Sequence, residues 1–330
     1  MANILILGAG SMGTAFSVPC TDNNHKVSVI GTHLENDFID QINSNNKHPT
    51  LNITVPKDVK FFKFEELKVE IKKNVDLIAV AVSSKGIEWI SNELSKVLKS
   101  NIPILILTKG LAINNNNYEI LAHKVERLIK KKGIKDTNIS AAGGPCLAKA
   151  LANRIHTSVV FANADISIAN KIKKLVSTNY YHIFTSTDVI GVEICAAIKN
   201  IFAIAIGSVK ELNTAAALFQ QSINEMIIFT EKLKGKKETS VGLAGIGDLY
   251  VSVKGGRNSQ MGEYLGKGMK FSDAKKMKMP KDTVEGADLA IEIEKKIKSD
   301  FSPKTLPLMF SVIETICHEK PLKFEWDDFK

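Results

Sequence analysis

A short apolar strand that breaks directly into a glycine-rich turn constrains this chain more than any other feature. Residues Asn3 to Leu7 read NILIL, Gly8-Ala9-Gly10-Ser11-Met12-Gly13 follows at once, and a helical pattern runs from Thr14 to Cys20. A polar turn at Asp22 to His25 leads into a second strand, Lys26 to Ile30. A G-x-G-x-x-G motif alone says little. Between a strand and a helix, inside about 30 residues, it marks a site for a dinucleotide pyrophosphate. The first glycine permits the tight turn, the second lets backbone approach the pyrophosphate, and the third lets helix pack on strand. Helical N–H groups then meet the phosphates. Gly8, Gly10 and Gly13 are therefore expected at a bound NAD or NADP.

One part of that fingerprint is displaced. A site restricted to NAD usually carries Asp or Glu at the end of the second strand, on the ribose hydroxyls. Here the strand ends in Gly31-Thr32-His33, and Glu35 stands two residues on, past the expected point. No acid is expected to repel a 2′-phosphate there and no arginine to grip it. Thr32 and His33 are expected beside the cofactor, and the choice between NAD and NADP stays open, leaning toward tolerance of NADP.

Strands and helices keep alternating. Asp76 to Val82 and Ile102 to Thr108 are continuous apolar runs, as in strands buried on both faces of a parallel sheet. Amphipathic helices are expected over Glu88 to Lys99 and Tyr118 to Lys131, and the last strands over Ile139 to Ala142, Ser158 to Ala162 and His182 to Phe184. This alternation predicts a doubly wound sheet. Ligands bind such sheets at the carboxyl ends of the strands, which is where Lys109 and Gly144 fall. Beyond Asp188 the pattern is helical only. At 330 residues the chain is long for one core. The sequence thus predicts an α/β chain: a Rossmann-like dinucleotide-binding domain over 1–188, then an all-helical substrate domain over 189–330.

The helical half opens with IGVEICAAIKNIFAIAIGSV, Ile190 to Val209, apolar on nearly every face. Such a helix belongs in a core or a membrane, yet Lys199 and Asn200 stand at its centre. Glu193, Lys199 and Asn200 in one span argue against a membrane. Burying an ammonium is costly, so Lys199 either pairs, loses its proton readily, or faces a wet cleft. The formal charge of +9 comes mostly from lysines on helix faces without interleaved aromatics, which points to solvated surface rather than nucleic-acid binding. Four scattered cysteines form no C-x-x-C pair. They imply neither a metal site nor a disulfide framework and fit a reducing cytoplasm.

Several segments now stand together: Thr108-Lys109-Gly110-Leu111, Gly144-Pro145-Cys146-Leu147-Ala148, Gly191-Val192-Glu193, Lys199-Asn200, GLAGIGDL from Gly242 to Leu249, Arg257-Asn258 and Val284-Glu285-Gly286. With the N-terminal motif they resemble bacterial NAD(P)-dependent glycerol-3-phosphate dehydrogenase along nearly the whole chain. The resemblance implies interconversion of dihydroxyacetone phosphate and sn-glycerol 3-phosphate, supplying glycerophospholipid synthesis in the cytoplasm. It implies Lys199 as proton donor and acceptor, with Lys109 at substrate and cofactor. Gly144, Cys146, Asn200, Asp248, Gly256, Arg257 and Asn258 are implied at the substrate. Ser11, Met12, Ala148, Arg257 and Glu285 are implied near the nucleotide.

The chemistry is coherent beside the resemblance. A lysine whose proton is loosened by burial and by a second cation, Lys109, can act as acid in reduction and base in oxidation. Asp248 can orient it, and Arg257 offers a planar fork to phosphate with Asn258 as a neutral donor. The chain departs from the family where Cys146 and Gly256 replace its usual serines and where Thr32 stands in place of a basic residue. A related 3-hydroxyacid dehydrogenase or ketopantoate reductase, and a dinucleotide-binding sensor without activity, are the alternatives. The apolar second half also implies a homodimer.

Overall fold

The computed structural model describes residues 1–98 and 102–329; Lys99, the expected end of one helix, lies outside them. The strands are β1 (Asn3–Leu7), β2 (Lys26–Ile30), β3 (Lys47–His48), β4 (Ile53–Thr54), β5 (Val59–Phe62), β6 (Leu77–Val80), β7 (Pro103–Ile106), β8 (Leu111–Asn114), β9 (Asn117–Ile120), β10 (Asn138–Gly143), β11 (Thr157–Ala162) and β12 (Tyr181–Ser186). Helices α1 (Ser11–Asp22), α2 (Asn36–Asn45), α3 (Leu67–Glu70), α4 (Ile87–Val97), α5 (Leu121–Lys130), α6 (Ala148–Ala152) and α7 (Ile166–Val176) intervene. The C-terminal half then runs α8 (Val189–Gly207), α9 (Leu212–Lys232), α10 (Lys237–Ser240), α11 (Asp248–Val253), α12 (Arg257–Gly266), α13 (Phe271–Met277), α14 (Glu285–Asp300) and α15 (Pro307–His318). It carries no strand among the described residues. Two compact units result, Met1–Lys109 with Leu121–Val189 and Gly110–Ile120 with Ile190–Lys330.

In the first unit one sheet runs β12-β11-β10-β7-β6-β1-β2-β5. Its ladders are parallel except where β11 turns back against β10. The predicted continuous apolar runs are its central strands: every residue of β6 and β7 is buried. β1 shows why both faces must be apolar. Ile4 and Ile6 join a cluster with Phe16 and Val29, while Leu5 and Leu7 join the opposite one with Ile78 and Ile104. Strand order reverses at β1, between β2 and β6, which makes its carboxyl end the switch point where such sheets hold ligands.

The second unit is built on α8. Every residue from Gly191 to Ile206 is buried. Its length and hydropathy would suit a membrane span, but 89% of it lies inside the protein, so it is a core helix. Two glycines let neighbouring backbones rest directly on it. A Cβ on Gly262 of α12 would stand 2.1 Å from the Ile204 carbonyl oxygen, and one on Gly286 of α14 would stand 2.4 Å from that of Asn200. Helix α15 is fastened by Glu225, fully buried on α9. Its carboxylate accepts from the Leu308 and Met309 amides at 2.7 and 2.9 Å and from Gln221 Nε2 at 3.2 Å. Burial pushes this carboxyl up to about 7 against those three donors.

Three expectations need correcting. Tyr118 to Ile120 is strand, not the start of a helix: Asn115 and Asn116 adopt φ of 48° and 60°, the pair of left-handed residues that closes a two-residue hairpin. Tyr118 then packs edge-on against Phe229 at 5.2 Å, and the hairpin β8–β9 belongs to the second unit although it lies within 1–188. Second, the glycine-rich stretch Gly242 to Gly256, where no helix was expected, contains a π turn over Leu243–Gly247 and all of α11. Third, helices α2, α3, α6, α10 and α13 and strands β3 to β5 were absent from the expected elements.

Replacing Gly262 by Ala tests the contact with α8. Overpacking costs about 1–3 kcal/mol or more, and the helix propensity regained is about 1 kcal/mol. We expect Gly262→Ala to lower stability by ~2 kcal/mol in denaturant titration; an equal or higher midpoint would show that the crossing relaxes freely.

Candidate active site

In the first unit the turn after β1 carries its glycines for separate reasons. Gly8 has φ of +107°, where a Cβ would lie 2.9 Å from the Ala81 carbonyl. A Cβ on Gly13 would lie 2.1 Å from the Gly8 oxygen, so α1 seats on the turn itself. Gly10, the residue before α1, differs: a Cβ there would meet only Glu35 Oε1, at 3.7 Å. Internal packing does not require glycine at that position. The open backbone there leaves room for a pyrophosphate at the N-terminus of α1.

Two residues hold this turn that sequence reasoning missed or misplaced. His48 is buried, and Nδ1 accepts from the Leu51 amide at 3.0 Å, which assigns the ring proton to Nε2. Nε2 then donates to the Ala9 carbonyl at 3.2 Å. Burial pulls this imidazole below its ordinary value, against the hydrogen bond to Ala9 and the nearby Glu35 charge. Glu35 overturns the expectation that no acid lies at the end of the second strand. Its Oε2 accepts from the Thr32 amide at 2.7 Å and the Ala9 amide at 3.2 Å, folding the carboxylate back over the turn. Thr32 is half-buried, and His33 packs on Trp89 with ring centroids 4.7 Å apart. Ser11 shares a hydrogen bond with Thr50 at 3.2 Å.

Beyond β7 and β10, Lys109 Nζ donates to the Gly144 carbonyl at 3.4 Å, and Gly144 has φ of +113°. A hollow of about 20 Å³, roughly one water, lies among Met12, Lys109, Gly144, Cys146, Val159 and Tyr181. Cys146 is half-buried, and Ala148 opens α6.

The second unit resolves the buried charge on α8. Lys199, 6% exposed, sits with Nζ 2.8 Å from Asp248 Oδ1 and 2.5 Å from Ser252 Oγ. Ser252 in turn donates to the Asp248 carbonyl at 2.7 Å. Desolvating both charges is compensated only where the pair is close and its other hydrogen bonds are made. GLAGIGDL delivers that geometry: the Gly247 amide reaches back five residues to the Gly242 carbonyl at 3.2 Å, closing the π turn, and Asp248 opens α11. A carboxylate in a first helical turn is also favoured by the helix dipole. Ser252 lies one turn on, so the i, i+4 spacing from Asp248 could have flagged it.

Asn200 and Asn258 are turned toward each other. Asn258 Nδ2 donates to Asn200 Oδ1 at 2.9 Å, and Asn258 Oδ1 accepts from the Gly286 amide at 2.9 Å. Asn258, expected as a phosphate donor, thus joins α8, α12 and α14 from a buried position. Arg257 follows Gly256 at the start of α12, and its guanidinium meets Glu285 at 2.6 Å, both half-exposed. Such a pair is worth about 0–1 kcal/mol and opens readily to a competing anion. Among the described residues no group of three or more His, Cys, Asp or Glu could hold a metal.

The chain matches two family profiles, NAD-dependent glycerol-3-phosphate dehydrogenase N-terminus over residues 3–169 and its C-terminus over 188–325. The NADP(+)-dependent glycerol-3-phosphate dehydrogenase of Archaeoglobus fulgidus is 33% identical, with 99% of each chain covered. A glycerol-3-phosphate dehydrogenase [NAD(P)+] of Streptococcus agalactiae is 30% identical over 94% of this chain and 92% of its own. The crystal structure of glycerol-3-phosphate dehydrogenase from Coxiella burnetii shares the fold, with a TM-score of 0.84 at 24% identity, covering 97% of this chain and 96% of that one.

If Asn258 is mainly a clasp, Asn258→Ala leaves the Gly286 amide buried without its acceptor. We expect a loss of about 1–3 kcal/mol, read as a lower thermal midpoint without substrate or cofactor. An unchanged midpoint would assign the side chain to ligand instead.

Proposed function

This chain belongs to the NAD-dependent glycerol-3-phosphate dehydrogenase family, and we propose that it interconverts dihydroxyacetone phosphate and sn-glycerol 3-phosphate, with Lys199 carrying the proton. The observation behind the role of Lys199 is its buried ammonium, held 2.8 Å from Asp248 on a helix otherwise apolar. The dinucleotide, NAD or NADP, supplies or accepts the hydride. In reduction Lys199 Nζ gives a proton to the carbonyl oxygen as that oxygen becomes a hydroxyl. In oxidation the amine takes it back. Asp248 and Ser252 hold Nζ in position for the reacting oxygen. Lys109 and Gly144, with Cys146 beside them, are assigned to the substrate on the same reading.

Arg257 is the proposed phosphate residue. Its exchange of Glu285 for substrate phosphate replaces a weak exposed pair by a bidentate one. Gly256, at the start of the same helix, leaves the phosphate room, and Ala148 with the Ser11–Met12 segment borders the nucleotide. The same reading puts the enzyme in the cytoplasm, supplying glycerophospholipid synthesis, as a homodimer. Sedimentation at the mass of one chain would reject the dimer.

Purified protein with dihydroxyacetone phosphate is expected to consume NADH or NADPH, followed by absorbance. No consumption while nucleotide still binds would favour the sensor. Lys199→Ala should still fold, at a lower thermal midpoint because Asp248 is left uncompensated, and lose about 10²–10⁴ in kcat, whereas Arg257→Ala should chiefly raise KM, about tenfold. Near-normal kcat in the first variant would remove Lys199 from proton transfer. Unchanged KM in the second would move phosphate binding elsewhere.

A further inference from the structure

The carboxylate of Glu35 is placed to choose between the two dinucleotides. Sequence spacing sets it beyond the point where an acid grips ribose, but the start of α2 turns it back. One oxygen is held by the amides of Thr32, just past β2, and Ala9, just past β1. The other lies over Gly10, 3.7 Å from where a Cβ would be. That carboxylate therefore stands between the carboxyl ends of β1 and β2. In a dinucleotide site of this kind the adenosine ribose lies at the end of the second strand, and an acid there accepts from its 2′-hydroxyl.

A 2′-phosphate would meet a fixed negative charge instead, and would find the Thr32 amide already bonded to it. The nearby ring able to carry a positive charge, His33, is packed on Trp89. We propose that Glu35 makes this enzyme prefer NAD(H) over NADP(H), by accepting from the ribose hydroxyl and repelling phosphate at that position. The archaeal relative is named as NADP(+)-dependent, so the preference is argued from this chain's own residues. It rests on the dinucleotide site proposed above and reverses the lean drawn from spacing alone.

Binding rather than turnover provides the test, so that failure of the reaction assigned above does not blur it. Titration calorimetry with 5′-AMP, 2′,5′-ADP, NADH and NADPH is run on wild type and Glu35→Gln, which keeps an acceptor for the amides and removes the charge. Wild type should bind NADH at least about tenfold more tightly than NADPH, and 5′-AMP more tightly than 2′,5′-ADP. In Glu35→Gln both ratios should fall about tenfold, chiefly through tighter binding of the 2′-phosphorylated ligand. Glu35→Ser repeats the measurement with a shorter side chain and should move the ratios the same way. Wild-type preference for NADPH, or ratios unmoved in both folded variants, would overturn the role of Glu35. Binding of none of the four would overturn the dinucleotide site itself, and this proposal with it.

Discussion

An ammonium buried in an apolar helix has to be matched by something that the fold brings to it. Lys199 is 6% exposed, and the carboxylate that meets it comes from α11, far along the chain. Much of the second unit can be understood as support for that meeting. The π turn brings Asp248 in, Ser252 bridges ammonium and backbone, and α12 and α14 close on α8 through glycines that let backbone touch backbone. Asn200, next to Lys199, is tied through Asn258 to the Gly286 amide, so the turn of α8 that carries the charge is clamped on its other side. Removing one member of a buried ion pair leaves the other uncompensated, and this couples the geometry of the pair to the stability of the unit that contains it.

The fold was largely legible because its strongest signals are local. A strand buried on both faces has to be a run of apolar residues, and a helix at the centre of a core has to be apolar all round; both are visible as letters. The glycine motif is local in its spacing, although Gly8 also clears Ala81, past β6. The hairpin at Asn114 to Asn117 was less visible. Its strands are short, and Tyr118 to Lys131 carries enough helical periodicity to hide that Tyr118 points at Phe229.

The candidate site divides along the same line. Lys199 stood out because a charge in an apolar stripe is anomalous wherever it occurs. Glu35, His48 and Ser252 did not, since their roles exist only once a side chain turns back on backbone it is not adjacent to. His48 reaches the Ala9 carbonyl from a short β3–β4 excursion that carries almost no periodicity. For Glu35, counting residues from a strand end misjudged position by less than one helical turn, enough to reverse the inference about charge. Arg257 is legible as a planar cation, but its resting partner Glu285 depends on how α12 and α14 cross.

The hairpin β8–β9 has a consequence for how this protein is made. It belongs to the second unit, yet it is translated between β7 and α5, before any helix of that unit. A two-stranded hairpin alone is marginal in water. The faces that hold it, Phe229 on α9 and Glu292 on α14, leave the ribosome only after the first unit's remaining strands and helices. The first unit can close around β7 and α5 while the hairpin waits as an open loop. The second unit is then completed by a segment already delivered, and a fragment cut cleanly at residue 190 would begin life missing one of its own parts.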